Sequence, residues 1–185
     1  MSDVVDRRIV GAILAGGQSQ RFGSDKALAL LDGRALIDHV AAGLATQTDG
    51  VIVVGRTHGT LTSVADRPRA GLGPLGALAG ALHWAREHGF SGVVSVPCDA
   101  PVLPGDLVAR LIGEQPAYVV GLPVIGWWPS DLAERLETWL AEDRSRAMRH
   151  WAVAVDARAV TLDVLPVNVN TPADLAALRK GEVRR

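Results

Sequence analysis

Cysteine is almost missing from this chain: Cys98 is the single one among 185 residues. That excludes an intramolecular disulfide framework and a zinc site built from several cysteines. The five histidines offer no metal spacing either. His39 falls within a helical pattern, His83 and His88 straddle another, and His58 and His150 are isolated, so no finger-type or HExxH pair exists. No stretch approaches the ~20 apolar residues needed to span a bilayer. The opening MSDVVDRR carries acids where a secretory signal would carry an apolar run. An excess of charge of one sign is also lacking: 19 basic residues face 20 acidic ones, a formal net charge of −1. That removes any general attraction to nucleic acid or an anionic membrane. Fixed-period repeats, low-complexity tracts and Gly/Ser/Pro-rich linkers are absent as well. The expectation is one cytoplasmic domain over residues 1–185, in which an anionic ligand is held by a local group of cations.

What the chain does contain is an alternation of two periodicities. Residues 9–14 (IVGAIL), 51–54 (VIVV) and 93–96 (VVSV) are short continuous apolar runs, as expected of strands buried on both faces of a mostly parallel sheet. Between and after them, helical spacing recurs in Leu36, Val40 and Leu44, in Leu75, Leu78 and Leu82, in Leu107 and Leu111, and in Leu132, Leu136, Trp139 and Leu140. Ser130 is placed to cap the last of these, and Thr171-Pro172-Ala173-Asp174 reads as a capping box with proline at the first helical position. This order predicts an α/β fold with a mostly parallel central sheet and helices on both faces. Residues 113–129 are harder to read: 118–120 and 124–128 fit either two short strands or an irregular loop.

Ligands of such folds gather outside the carboxyl ends of the strands, and chemistry-bearing residues follow each apolar run. After the first comes LAGGQSQRFGSDK, residues 14–26. Gly16 and Gly17 let backbone N–H groups approach a ligand, while Arg21 and Lys26 add two positive charges suited to a triphosphate or departing pyrophosphate. The Walker pattern is excluded because Gly23 is followed by Ser-Asp-Lys, and the dinucleotide fingerprint because the glycines are adjacent and the second run ends in Gly55-Arg56.

Asp99 follows the third apolar run, rimmed by Pro97 and Pro101. A carboxylate there suits Mg²⁺, which takes one or two carboxylates plus substrate phosphates; an N-cap role is the bland alternative. Cys98 reads as a small packed filler, with no histidine placed to activate it. Asp66, before glycines 71, 73 and 76, could accept hydrogen bonds from the N1–H and exocyclic amine of guanine, or pair with Arg67 or Arg69. Asn170, with Asn168, could contact the metal, phosphate or acceptor side, or stabilise the turn before the last helix. Trp127 and Trp128 read as core or rim packing, with a bordering role against a flat ligand as the lesser reading.

The loop at 14–26 resembles the LAGG-x-S-x-R-[FM]-G-x-D-K-A-L signature of molybdenum cofactor guanylyltransferases, the MobA group of the nucleotidyltransferase superfamily. The likeness continues through the hairpin-like LLDGRAL at 30–36, Asp66 with GPLGAL at 73–78, PCDAPVLP at 97–104 and VNVNTPADL at 167–175. The resemblance implies a single Rossmann-like nucleotidyltransferase domain that transfers GMP from GTP to molybdopterin. It implies Arg21, Lys26 and Asp99 as catalytic, and Mg²⁺ on Asp99. Leu14, Ala15, Gly16, Gly17, Lys26, Asp66, Gly73 and Asp99 would bind the nucleotide, with Asn168 and Asn170 on the acceptor side. It further implies transient contact with cofactor-biosynthesis or acceptor enzymes. Relatives that use CTP tend to begin the loop LAAGR, so LAGGQ favours guanine, with a cytidylyltransferase and a non-catalytic nucleotide binder as alternatives. The chain departs from the family pattern in having Gly55 for an asparagine, and Leu122 for a histidine before Pro123 after a shortened segment from 113.

Overall fold

The computed structural model describes residues 7–16, 26–142 and 144–180. Its centre is a seven-stranded sheet built from β1 (Ile9–Leu14), β4 (Gly50–Val54), β5 (Thr62–Val64), β6 (Gly92–Pro97), β7 (Ala117–Val119), β8 (Leu122–Pro129) and β9 (Arg158–Val160). A separate two-stranded hairpin, β2 (Leu30–Leu31) and β3 (Arg34–Ala35), turns through Asp32-Gly33. The helices are α1 (Leu36–Ala45), α2 (Pro74–Glu87), α3 (Leu107–Leu111), α4 (Ala133–Ala141), α5 (Met148–Ala154) and α6 (Pro172–Arg179).

The strand order is β5-β4-β1-β6-β8-β7-β9. β1 pairs in parallel with β4 and β6, β4 with β5, and β7 with β9, while β8 runs antiparallel to β6 and β7. The sheet is therefore mostly parallel, and the ambiguous 113–129 segment is a hairpin with an irregularity at Tyr118/Val119. Its tryptophans settle the matter. Trp127 and Trp128 are 2% and 0% exposed, on opposite faces of the sheet. They anchor the core and cannot border a ligand. Trp128 Nε1 donates to Ser95 Oγ at 2.9 Å, and Ser95 donates to the Val124 carbonyl at 2.7 Å. The polar group buried in β6 is thereby satisfied, as burial demands.

Alternation along β1 explains why its run is continuously apolar. Val10, Ala12 and Leu14 pack on the α2 side, in one core cluster with residues of α4 and α5, while Ile9 and Ile13 pack on the α1 side, in a second cluster with residues of α3. Each fully buried leucine or isoleucine contributes about 1.5–3 kcal/mol relative to exposure, so the two-sided burial holds β1 rigidly at the centre of the sheet.

Two helix starts differ in how they are made. Thr171 caps α6 as a capping box: its side chain accepts from the Asp174 N–H, and the Asp174 carboxylate accepts from the Thr171 N–H. Ser130 does not cap α4. It opens a 3₁₀ turn, Ser130–Leu132, and the α-helix begins at Ala133 without a side-chain cap. None of the helices among the described residues is long and apolar enough to cross a membrane.

Candidate active site

β1 passes the chain to β4 on one side, and β6 passes it to β7 and β8 on the other. Such a reversal opens a crevice outside the carboxyl ends of the two central strands. A cavity of about 230 Å³ lies there, lined by Leu14, Gly16, Lys26, Gly73, Asp99 and Val124 among others. The floor is rigid because the strand tails stay bonded past the sheet: Ala15 N–H donates to the Val54 carbonyl at 2.9 Å, and Cys98 N–H to the Leu14 carbonyl at 3.3 Å.

Three polar side chains meet in this crevice. Lys26, opening a 3₁₀ turn at Lys26–Leu28, donates from Nζ to Asp99 Oδ2 and to Asn170 Oδ1, the latter at 2.7 Å. The lysine and aspartate side chains are 13% and 15% exposed, so the pair is largely removed from water. The other carboxylate oxygen, Asp99 Oδ1, is buried without a hydrogen-bond partner among the described residues. Asn170 is held from behind. Its N–H donates to Asp174 Oδ2 at 2.8 Å, and that oxygen also accepts the Thr171 N–H at 2.8 Å. The Val169 N–H donates to the Asp99 carbonyl at 2.9 Å, tying this segment to the Asp99 turn.

Asp66 lies on the β4 side. α2 approaches it closely because Gly80 has no side chain; a Cβ there would sit 2.1 Å from the Ala65 carbonyl oxygen. Gly55 is required by the same economy of space. Its φ is +85°, and a Cβ would fall 2.5 Å from Gly16 Cα and 3.2 Å from Asp66 Oδ1. The glycine that replaces the family's asparagine therefore seats the end of β4 directly against the first loop. Burial raises the Asp66 carboxyl above the usual carboxylate range, opposed by the Gly71 N–H that it accepts. Its Oδ1 is buried without a partner among the described residues. Arg67 pairs with Glu137, not with Asp66.

The structure thus brings Leu14, Gly16, Lys26, Gly73 and Asp99 into the wall of one strand-end cavity; Ala15 is hydrogen-bonded to Val54 beside it, Asp66 lies against Gly16 outside that wall, and Asn170 reaches it through its bond to Lys26. Asn168 does not join the polar cluster through its side chain: its Oδ1 is buried without a partner, and its carbonyl accepts from Asn170 Nδ2 at 3.5 Å. Gly17 and Arg21 lie outside the described residues. Cys98 is inert. Burial first, and then the Asp99 charge, push its thiol up to about 11, against the opposing pull of Lys26 and Arg56.

Two features escaped the sequence reading. The uncapped start of α2, with Gly73 before Pro74, lines the cavity and presents the positive end of a helix dipole to it. Arg56, two residues past the end of β4, also pulls on the Cys98 thiol; its signal was its place directly after an apolar run. A larger apolar groove of about 410 Å³ lies beyond the Asp99 loop, walled by Val102, Leu103, Leu162 and Leu165. Its Arg110 is occupied by Asp106 at 2.7 Å and Asp163 at 3.2 Å.

Residues 11–161 match the model of the MobA-like NTP transferase domain. The chain belongs to that family. It is 36% identical to a molybdenum cofactor guanylyltransferase of Rhizobium leguminosarum bv. trifolii (strain WSM2304), over 91% of this chain and 90% of the relative. It is 38% identical to one from Rhodobacter capsulatus, over 91% and 94%. Among solved structures, the molybdopterin-guanine dinucleotide biosynthesis protein A of Archaeoglobus fulgidus superposes with a TM-score of 0.74 at 18% identity, covering 92% of this chain and 97% of that one. The family match begins within β1, takes in Lys26, Asp66 and Asp99 and ends just past β9, so Asn170 reaches the crevice from beyond the matched segment.

Proposed function

We propose that this MobA-like chain transfers GMP from GTP to the terminal phosphate of molybdopterin, carrying molybdenum, and releases pyrophosphate. The observation that carries the reading is the convergence of Lys26, Asp99 and Asn170 at the carboxyl ends of β1 and β6. Relatives at 36–38% identity over about nine-tenths of the chain bear that activity in their names.

An acceptor phosphate oxygen attacks the α-phosphorus of GTP, and the bond to the β-phosphate breaks. The attacking group is already anionic, so no strong base is needed; catalysis rests on alignment and charge neutralisation. Lys26 neutralises the phosphates, aided by the α2 amino terminus and by Arg21 and the Gly16-Gly17 amides of the first loop. Asp66 selects the base: its two oxygens accept the N1–H and amine of guanine, whereas cytosine presents an acceptor nitrogen that a carboxylate repels. Asn170 faces the acceptor, with the Asn168 carbonyl behind its amide.

The residues also fit a divalent metal. Asp99 Oδ1 is a buried hard oxygen without a partner, and no cluster of three or more His, Cys, Asp or Glu exists among the described residues. One protein carboxylate completed by phosphate oxygens and water is how Mg²⁺ is commonly held. Bound there, Mg²⁺ supplies Lewis-acid neutralisation of the reacting phosphates.

The test is product identity. Purified protein is given molybdopterin and Mg²⁺ with GTP or CTP, and the products are separated by mass. The guanine dinucleotide is expected from GTP; a cytosine dinucleotide as the main product, or none from either, contradicts the reading.

A further inference from the structure

Lys26 and Asp99 raise a question of charge balance that the reaction scheme does not answer. The ammonium occupies Asp99 Oδ2, and both side chains are largely buried. The pair neutralises itself, which a buried carboxylate requires. A divalent cation on the neighbouring Oδ1 would stand within one carboxylate's width of that ammonium, and the two like charges would repel. No other cluster of acidic or histidine ligands among the described residues could compensate. A carboxylate that serves one of the two cations at a time avoids that repulsion.

We infer that Lys26 and the divalent metal are exchange partners on Asp99, so that the triphosphate admits the metal by drawing the ammonium away. This rests on the proposed metal role of Asp99 and adds an order of events to it. Before exchange, Lys26 bridges Asp99 and Asn170. The nucleotide phosphates offer the ammonium another anion, and the crevice that holds them also contains the α2 start. The carboxylate is then released to the metal. The number of ion pairs is conserved through the exchange, and neither buried charge is left bare. Asn170 takes part because its amide oxygen is the ammonium's second acceptor. Its position is fixed by the Asp174 carboxylate behind it. Such coupling is reciprocal: whatever factor the nucleotide adds to metal affinity, the metal adds to nucleotide affinity.

The test is direct Mn²⁺ binding to the full chain, read by the loss of the free-ion electron paramagnetic resonance signal without nucleotide. Lys26→Met removes the ammonium and keeps the aliphatic stem. It is expected to bind Mn²⁺ at least about tenfold more tightly than wild type, within the usual range of coupling. The gain should vanish in Lys26→Met/Asp99→Asn, which shows that it acts through Asp99 and not through net charge. Asn170→Ala, at an exposed position, retains both charges and loosens only the ammonium's second anchor; a smaller tightening is expected and needs no buried substitution. Equal Mn²⁺ affinity in wild type, Lys26→Met and Asn170→Ala, with Asp99→Asn still abolishing binding in the presence of GTP, overturns the exchange and leaves the metal role intact. If Asp99→Asn binds Mn²⁺ as wild type does with and without GTP, the metal role itself falls, and the exchange with it.

Discussion

Lys26 Nζ and Asn170 Oδ1 lie 2.7 Å apart across 144 positions of sequence. The first loop of the fold and the approach to its last helix are joined at a single ammonium, on the far side of which stands Asp99. The site proposed for the substrate phosphates, outside the carboxyl ends of β1 and β6, includes Lys26 and Asp99 of this junction.

The first prediction concerns its charges. Removing one preorganised charge or donor at a reacting phosphate costs about 3–4 kcal/mol, roughly 10²–10³ in rate. Lys26→Ala and Asp99→Ala are each expected to lower kcat by at least that much, measured as GTP-dependent dinucleotide formation. Turnover like wild type in either variant would remove that residue from the mechanism.

Asp66 should trade stability for binding. Its folded-state pKa is raised by burial, so the fold favours the protonated form. Its ionisation costs stability as pH rises from the usual carboxylate range through the raised value. Asp66→Asn is therefore expected to raise Tm at neutral pH, with the gain disappearing in acid below the usual carboxylate range. The same variant should weaken GTP binding at neutral pH by about 10–100-fold, as expected for losing a charge-assisted hydrogen bond of about 1.5–3 kcal/mol. Calorimetric titration with GTP, alongside melts across pH, checks both parts.

Asp174 behaves in the opposite sense. The Asn170 N–H first, and then Thr171, hold its carboxyl below the usual range. Its contribution is fully present above that range and is lost as pH falls through the lowered value. Asp174→Asn should be less stable than wild type at pH 7, and the difference should close in strong acid. Because Asp174 also fixes Asn170, this variant should lower kcat, whereas Thr171→Ala, which removes the cap but leaves the Asp174 carboxylate, should chiefly lower Tm by the equivalent of about 1 kcal/mol.

Close approach of backbone at two glycines gives a fourth prediction. A Cβ at Gly80 meets the Ala65 carbonyl oxygen at 2.1 Å, and at Gly55 it meets Gly16 Cα at 2.5 Å. Gly80→Ala and Gly55→Ala should each cost about 1–3 kcal/mol or more through overpacking and reduce GTP affinity, since both shift the wall around Asp66. Gly105→Ala, where a Cβ meets nothing within 4 Å, should change GTP affinity little.

Much of this geometry is written in local pattern. The apolar runs of β1, β4 and β6 are continuous because both faces are covered. The α6 capping box shows because its partners are three residues apart. Edge strands β5 and β9 were not legible: each is three residues long, mostly exposed, and formed by pairing with one neighbour. Helix α5 is only seven residues long, with Met148, Trp151 and Ala152 buried, too short for its spacing to stand out. Ser130 carried the right chemistry for a cap, yet the chain turns through a 3₁₀ segment first. In the site, strand-end position, together with the family resemblance, singled out Asp99 and the first loop, of which residues 17–25 lie outside the described residues. The bond from Lys26 to Asn170, the fit of Gly55 against Gly16 and the inward start of α2 are tertiary facts with no local signature.

The most direct test of the whole account is pyrophosphate release by purified protein supplied with GTP and Mg²⁺, followed as molybdopterin is added. The account predicts release that rises with molybdopterin, reaches one pyrophosphate per dinucleotide formed, and is absent without the acceptor. Release that is indifferent to molybdopterin, or none at saturating GTP and acceptor, would contradict it.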